Sequence, residues 1–152
     1  MKTELDSVNG KEQELKRCIK EDKLYELHPK LSIRVAPDMP VEDVIQTMVD
    51  KKVGAVLIVE NNELIGIFSE RDIIRRVALD YDQAADRPIR DYMTKNPVKL
   101  SINDTIAFAL NHMDVGDYRH IPIMDDQNLP TGMAAARDII RYIDYNCLGG
   151  PE

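Results

Sequence analysis

Tryptophan is absent, phenylalanine occurs only at Phe68 and Phe108, and outside the N-terminal segment no Lys/Arg run exceeds a pair. With 20 Lys+Arg against 27 Asp+Glu the formal charge is −7, so the chain repels phosphate backbones and offers no row of aromatic platforms for bases. Nucleic acid is excluded as a partner, and any phosphate site must be local. Apolar runs stop at five residues, as in Ala55 to Val59, far short of the ~18 needed to cross a bilayer. No membrane partner is expected. The charged N-terminus, MKTELDSVNGKEQELK, has no apolar core of a secretory signal and no Arg/Ser-rich transit pattern, so a cytoplasmic location is expected. The two cysteines, Cys18 and Cys147, form neither a CxxC pair nor a disulfide framework, and both are expected to be reduced. No GxSxG, P-loop, GxGxxG or HExxH signature occurs, and His28 and His112 lack metal-ligand spacing. Neither an enzyme nor a metal site is expected.

What the sequence has is an internal repeat. VAPDMPVEDVIQTM (Val35 to Met48) leads into Lys51 to Ala78, and LSINDTIAFALNHM (Leu100 to Met113) leads into Asp117 to Ile143. Met48 and Met113 stand 65 positions apart and Asp72 and Asp138 stand 66 apart. The second copy therefore carries one extra residue, expected near Val115 to Tyr118.

Each copy reads as strand, helix, strand, strand, helix. Val41, Val44, Ile45, Met48 and Val49 recur at helical spacing with Asp38 as N-cap, and Ile106, Ala109, Leu110 and Met113 follow suit behind Asn103. Ala55 to Val59 and Leu64 to Phe68 flank an Asn61-Asn62 turn, and Ile121 to Met124 and Thr131 to Ala134 flank Asp125 to Asn128. Pro122 and Pro130 suggest edge positions or strand ends. Ile73, Ile74 and Val77, then Ile139, Ile140 and Ile143, mark the closing helices. The predicted fold is α/β (α+β): two β-α-β-β-α repeats related by a pseudo-twofold axis and packed sheet to sheet. The expected divisions are an N-terminal extension over 1–27, with a helix from Lys11 to Leu27, repeat one over 28–79, a polar linker over 80–90, repeat two over 91–146 and a tail over 147–152.

The doubled unit, with GIFSERD (Gly66 to Asp72) and GMAAARD (Gly132 to Asp138) in register, and with DYMTKNPVKL (Asp91 to Leu100) and YRHIPIMD (Tyr118 to Asp125), resembles a pair of cystathionine-beta-synthase (CBS) domains, the Bateman module. The resemblance covers about residues 28 to 145. It implies a regulatory module that binds AMP, ADP, ATP, S-adenosylmethionine or NADH between the paired sheets, with an Asp accepting the ribose hydroxyls. A first-turn carboxylate beside free backbone N–H groups stays ionised and suits a diol. Ser69 and Asp72 match the family's hydroxyl and carboxylate, whereas repeat two keeps Asp138 but has Ala135 in place of the hydroxyl.

By resemblance, Arg119 and His120 stand where the family often meets phosphate, and they are expected to serve Asp138, making that the preferred site for a phosphorylated ligand. Arg71 and Arg137 are expected near the pseudo-twofold axis, and Val53, Ile67, Met133, Ile33 and Val98 around adenine. The resemblance also implies a homodimer, with the output exerted on an effector protein in trans. The alternative is a ligand-independent dimerisation or scaffold module with degenerate sites, and a nucleotide hydrolase or transferase stands third, since Ser69 has no base marked out by spacing.

Overall fold

The computed structural model describes residues 3–150. Helix α1 (Glu4–Glu21) starts earlier than its apolar stripe suggests because Thr3 and Asp6 cap each other: the Asp6 N–H donates to Thr3 Oγ1, and the Thr3 N–H donates to Asp6 Oδ2 at 3.2 Å. It also ends earlier, at Asp22, and a separate 3₁₀ turn follows over Leu24–Leu27. There the N–H groups of Leu24 and Tyr25 donate to the carbonyls of Asp104 and Ile102, at 2.9 and 3.0 Å. This break lets Leu24 become fully buried in the second repeat's core, a tertiary gain that outweighs continuing the helix.

The first repeat contributes β1 (Arg34–Val35), α2 (Val41–Lys51), β2 (Ala55–Glu60), β3 (Glu63–Ser69) and α3 (Glu70–Asp72). The helical path widens into a π turn at Ile73–Val77 and continues through Ala78–Asp80 into α4 (Tyr81–Ala84). Residues 80–90, expected as a linker, are therefore largely helical, anchored by buried Ala84 and Ile89. The second repeat contributes β4 (Thr94–Lys95), β5 (Leu100–Ser101), α5 (Ile106–Gly116), β6 (His120–Met124), β7 (Pro130–Ala135) and α6 (Ala136–Tyr142), which runs into a π turn at Ile143–Cys147.

The strands form two sheets, β1-β2-β3-β4 and β5-β6-β7. In each, the first strand, β1 or β5, runs parallel to its neighbour, β2 or β6, and the hairpin that follows is antiparallel. Although β4 falls within 91–146, it pairs with β3 of the first repeat, Gly66 with Lys95 and Ile67 with Thr94. Val56, Ile58 and Phe68 join Val41, Val44 and Met48 in one core, and Ile121, Ile123 and Ala134 join Ile106, Ala109 and Ile139 in another. A third cluster, Ala55, Leu57, Leu64, Ile67 and Met124, with Met133 against it, joins the two sheets. The unbroken apolar run of β2 follows from this arrangement, since alternate residues face helices on one side and the other sheet on the other.

Several local expectations are corrected. Asp38 does not cap α2; the flanking residue is Pro40, and the Asp38 carboxylate pairs with Arg90 at 2.9 Å. Thr105, rather than Asn103, caps α5 by accepting from the Phe108 N–H at 3.1 Å. The extra residue of repeat two is not near Val115 to Tyr118. Helices α2 and α5 both have 11 residues and end on a left-handed residue, Lys52 and Asp117, so the surplus lies in the β6–β7 turn, which is longer than Asn61-Asn62. Pro122 sits in a middle strand, tolerated because β5 reaches only Ile123 and Met124.

The cysteines expected to be reduced are joined in a disulfide, Cys18 to Cys147, with Cα atoms 5.8 Å apart. Packing of α1 on the turn after α6 brings Cys18 and Cys147 together, a contact between segments 129 residues apart that spacing cannot reveal.

The signature glycines mark close crossings of the other repeat's lead-in. A Cβ at Gly66 would overlap Met93 Sδ and come 3.1 Å from the Thr94 carbonyl oxygen, and one at Gly132 would come 2.9 Å from Pro29 Cβ and 3.1 Å from the Lys30 carbonyl oxygen. Gly66→Ala is therefore expected to destabilise the protein by ~1–3 kcal/mol through overpacking, read as a lower urea midpoint. An unchanged midpoint would show that the crossing can move aside.

Candidate functional site

The end of β3 and the first turn of α3 place Ser69, Arg71 and Asp72 on one wall of a cleft of about 320 Å³. Thr94 to Val98 form the floor, and Gly116 to Ile121, from the end of α5 into β6, form the far wall. The cleft thus lies between the repeats and draws its walls from both.

Asp72 is its most constrained group. It is a buried carboxylate, 7% exposed. Oδ2 accepts from the Ser69 N–H at 2.9 Å and the Ser69 hydroxyl at 3.2 Å, Oδ1 accepts from the Thr94 hydroxyl at 3.1 Å, and Arg76 Nε stands 3.6 Å from Oδ1. Burial of an ionised carboxylate is tolerated because both oxygens have donors. The same donors fix its rotamer. Arg76 is oriented in turn by donating to the Met93 carbonyl at 2.8 Å.

Around Asp72, five cationic side chains, Arg71, Arg75, Arg76, Lys95 and Arg119, face three carboxylates, Glu70, Asp72 and Asp117. The cleft is locally cationic in a chain of formal charge −7, so an anion entering it meets a focused attractive field. Arg71 bridges to the far wall: its guanidinium pairs with Asp117 Oδ2 at 2.9 Å and donates to the Asp117 carbonyl, while Arg75 approaches the same carboxylate at 3.5 Å. The Arg71 guanidinium holds the Asp117 carboxyl below its ordinary range.

His120, half-buried at the start of β6, touches the first repeat; a Cβ at Gly54 would stand 3.1 Å from its Nε2. Burial lowers its pKa below the ordinary imidazole value, opposed by the charges of Glu70 and Asp138. A neutral ring can both donate to and accept from a ligand.

The structure redistributes the residues singled out from the sequence. Arg119 and His120, expected to serve Asp138, line the cleft of Asp72. The reason is the crossing of the repeats about their pseudo-twofold axis, which sets the lead-in of β6 opposite α3. Ile67 and Val98 line the same cleft. Val53 and Ile33 pack against the first repeat's core, and Met133 packs in the inter-sheet cluster. Ala135 and Asp138 stand at the β7–α6 junction, where Asp138 is exposed and α6 begins without a side-chain cap. Arg137 faces a separate, shallow depression with Ile140, Arg141 and Tyr145. Thr94 and Asp117 were not anticipated. Thr94 lies inside DYMTKNPVKL, and nothing in its local spacing signals that it holds Asp72.

A family profile, CBS domain, matches residues 32–79 and 89–145. Among curated proteins, the chain is 26% identical over 110 residues to a 17.7 kDa protein of Acidianus ambivalens, covering 72% of this chain and 65% of that one. It is 35% identical over 102 residues to a CBS domain-containing protein of Arabidopsis thaliana, covering 67% of this chain and 18% of that one. The matched region therefore spans less than two thirds of either relative. Among solved structures, a CBS-domain protein from Agrobacterium tumefaciens aligns with a TM-score of 0.71 at 27% identity, covering 78% of this chain and 94% of that one. A CBS domain protein from Pyrobaculum aerophilum complexed with AMP aligns at 0.69 and 19% identity, covering 77% and 89%. The CBS domain pair of protein MJ0100, in complex with 5-methylthioadenosine and S-adenosyl-L-methionine, aligns at 0.72 and 18%, covering 80% and 99%.

Proposed function

The chain belongs to the CBS domain family, whose unit it carries twice, and from that premise we propose that it is a regulatory module that binds an adenosine-containing ligand in the Asp72 cleft. The observation that carries this reading is the pre-set carboxylate of Asp72, buried between Ser69 and Thr94 inside a cationic cleft. A carboxylate offers about four lone-pair positions; the Ser69 N–H and the Ser69 and Thr94 hydroxyls take three of them, which leaves one for a ribose hydroxyl, and either side-chain hydroxyl can rotate away to free a second for the diol. Ile67, Val98 and Ile121 give the apolar surface on which a base can rest, and Arg71, Arg75, Lys95 and Arg119 suit phosphate oxygens. Two similarly folded proteins are described in complex with AMP or S-adenosyl-L-methionine, which supports adenosine as the common ligand part.

No step of covalent chemistry is needed. A ligand that contacts Asp72 from one repeat and Arg119 from the other binds the closed cleft better than an open one, and so shifts the angle between repeats. The signal then passes to an effector protein in trans or through an oligomer. Ile74 and Ile140, 70% and 66% exposed at matching steps of the two repeats, give an apolar face for a second copy.

The test is a calorimetric and thermal-shift panel with AMP, ADP, ATP, NADH and S-adenosylmethionine. A ligand present at a hundred times its Kd is expected to add ~2.7 kcal/mol of stability, or roughly 5–11 °C in Tm for a domain of this size. Flat calorimetry with all five would leave a ligand-independent scaffold as the better account.

A further inference from the structure

Asp117 places a carboxylate on the arginines that the nucleotide reading assigns to phosphate. It closes α5 in the left-handed conformation (φ 56°), the position that Lys52 (φ 55°) fills at the end of α2. The two repeats thus have opposite charges at one structural position. From there Asp117 contacts Arg71 through both its carboxylate and its carbonyl oxygen, and reaches Arg75 as well. The pair joins the two walls of the cleft, and it is accessible, with the Asp117 side chain 67% exposed and the Arg71 side chain 34% exposed.

Resting on the nucleotide reading, we propose that Asp117 is a built-in counter-anion that holds the phosphate-binding arginines of the cleft and must be displaced by a phosphorylated ligand, so that it sets the affinity for phosphate while leaving the nucleoside part untouched. An exposed ion pair is weak in water, which makes displacement feasible. Once a phosphate takes Arg71 and Arg75, the Asp117 carboxylate is left beside an anion, and the Gly116–Tyr118 turn loses its tie to α3. Occupancy of the cleft is thereby coupled to the end of α5. An uncharged nucleoside that reaches only Asp72 leaves the pair intact.

The experiment compares wild type, Asp117→Asn and Asp72→Ala by calorimetry with AMP and with adenosine at fixed ionic strength. The asparagine keeps the size and the left-handed preference of the position while removing the charge. Asp117→Asn is expected to bind AMP about fivefold more tightly, the factor that one unit charge at about 4 Å contributes through water, with adenosine affinity within twofold of wild type. The gain should shrink as salt is raised. AMP binding that is unchanged or weaker in Asp117→Asn, while Asp72→Ala removes it, would overturn the counter-anion role and leave the nucleotide reading standing. If neither wild type nor Asp117→Asn binds either ligand, both fail together. Equal tightening of AMP and adenosine would also overturn the proposal, since it would mark Asp117 as a steric gate.

Discussion

Asp72→Ala is expected to weaken AMP binding by about 100-fold or more, whereas Asp138→Ala should leave it within about threefold of wild type. Hydrogen bonds to a charged acceptor contribute ~1.5–3 kcal/mol each, so a diol held by two of them loses ~3–6 kcal/mol when the carboxylate is removed, and 1.4 kcal/mol is tenfold in Kd. The substitution also strands the Ser69 N–H and the Thr94 hydroxyl, which costs stability in its own right. Asp72→Asn, which retains an oxygen acceptor for one of these donors, separates the two effects. It should restore much of the lost stability without restoring affinity, because a neutral amide is a weaker acceptor for the diol. Asp138 is exposed, its helix begins without a side-chain cap, and position 135 lacks a hydroxyl, so nothing fixes its rotamer before a ligand arrives. If Asp138→Ala abolished binding and Asp72→Ala spared it, the working cleft would be the other one.

The repeat and its element order are legible in the sequence because each depends on local pattern, period-two strands and period-3.6 helices; the signature glycines are legible only through the family resemblance, since each answers to a crossing by the other repeat's lead-in. The pairing of site residues was not. Spacing within a repeat puts Ser69 and Asp72 together, but whether Arg119 faces Asp72 or Asp138 depends on how one repeat crosses the other. That crossing is set by the inter-sheet cluster around Leu57, Ile67 and Met124. The Asp38 cap fails for a different tertiary reason: the first N–H groups of α2, on Val41 and Glu42, donate to the carbonyls of Arg87 and Ala85, and Asp38 pairs with Arg90, 52 residues on. Asp117 was hidden for a further reason. As a helix-ending residue it reads as an ordinary solvated charge, and its meaning comes only from Arg71 on the opposite wall.

Reduction of the Cys18–Cys147 disulfide is expected to lower stability by ~2–5 kcal/mol, which for a chain of this size is a fall in Tm of roughly 4–20 °C. The crosslink spans a separation of 129 residues, so it removes a large part of the unfolded chain's freedom, and the chain-entropy estimate for so long a loop is at the upper end of that range. The apolar face of α1 is narrow, with only Leu15 and Ile19 half-buried beside Cys18. Cys18 is its buried residue, while Leu5 and Val8 are 75% and 60% exposed. Its C-terminal end is also tied by polar bonds: the Ile106 N–H donates to the Asp22 carbonyl at 3.0 Å, and the Tyr142 hydroxyl donates to the Asp22 carboxylate at 2.7 Å, its pKa pushed up by burial first and by that carboxylate second. Reduced protein should therefore show α1 protected less from hydrogen exchange than α5, while AMP affinity stays within about twofold, because no residue of α1 lines the Asp72 cleft. The check is a melt with and without a phosphine reductant, paired with thiol counting under denaturing conditions. Two titratable thiols before any reductant is added, together with an unshifted melt, would show that the cysteines are merely packed together and that α1 is held by its other contacts.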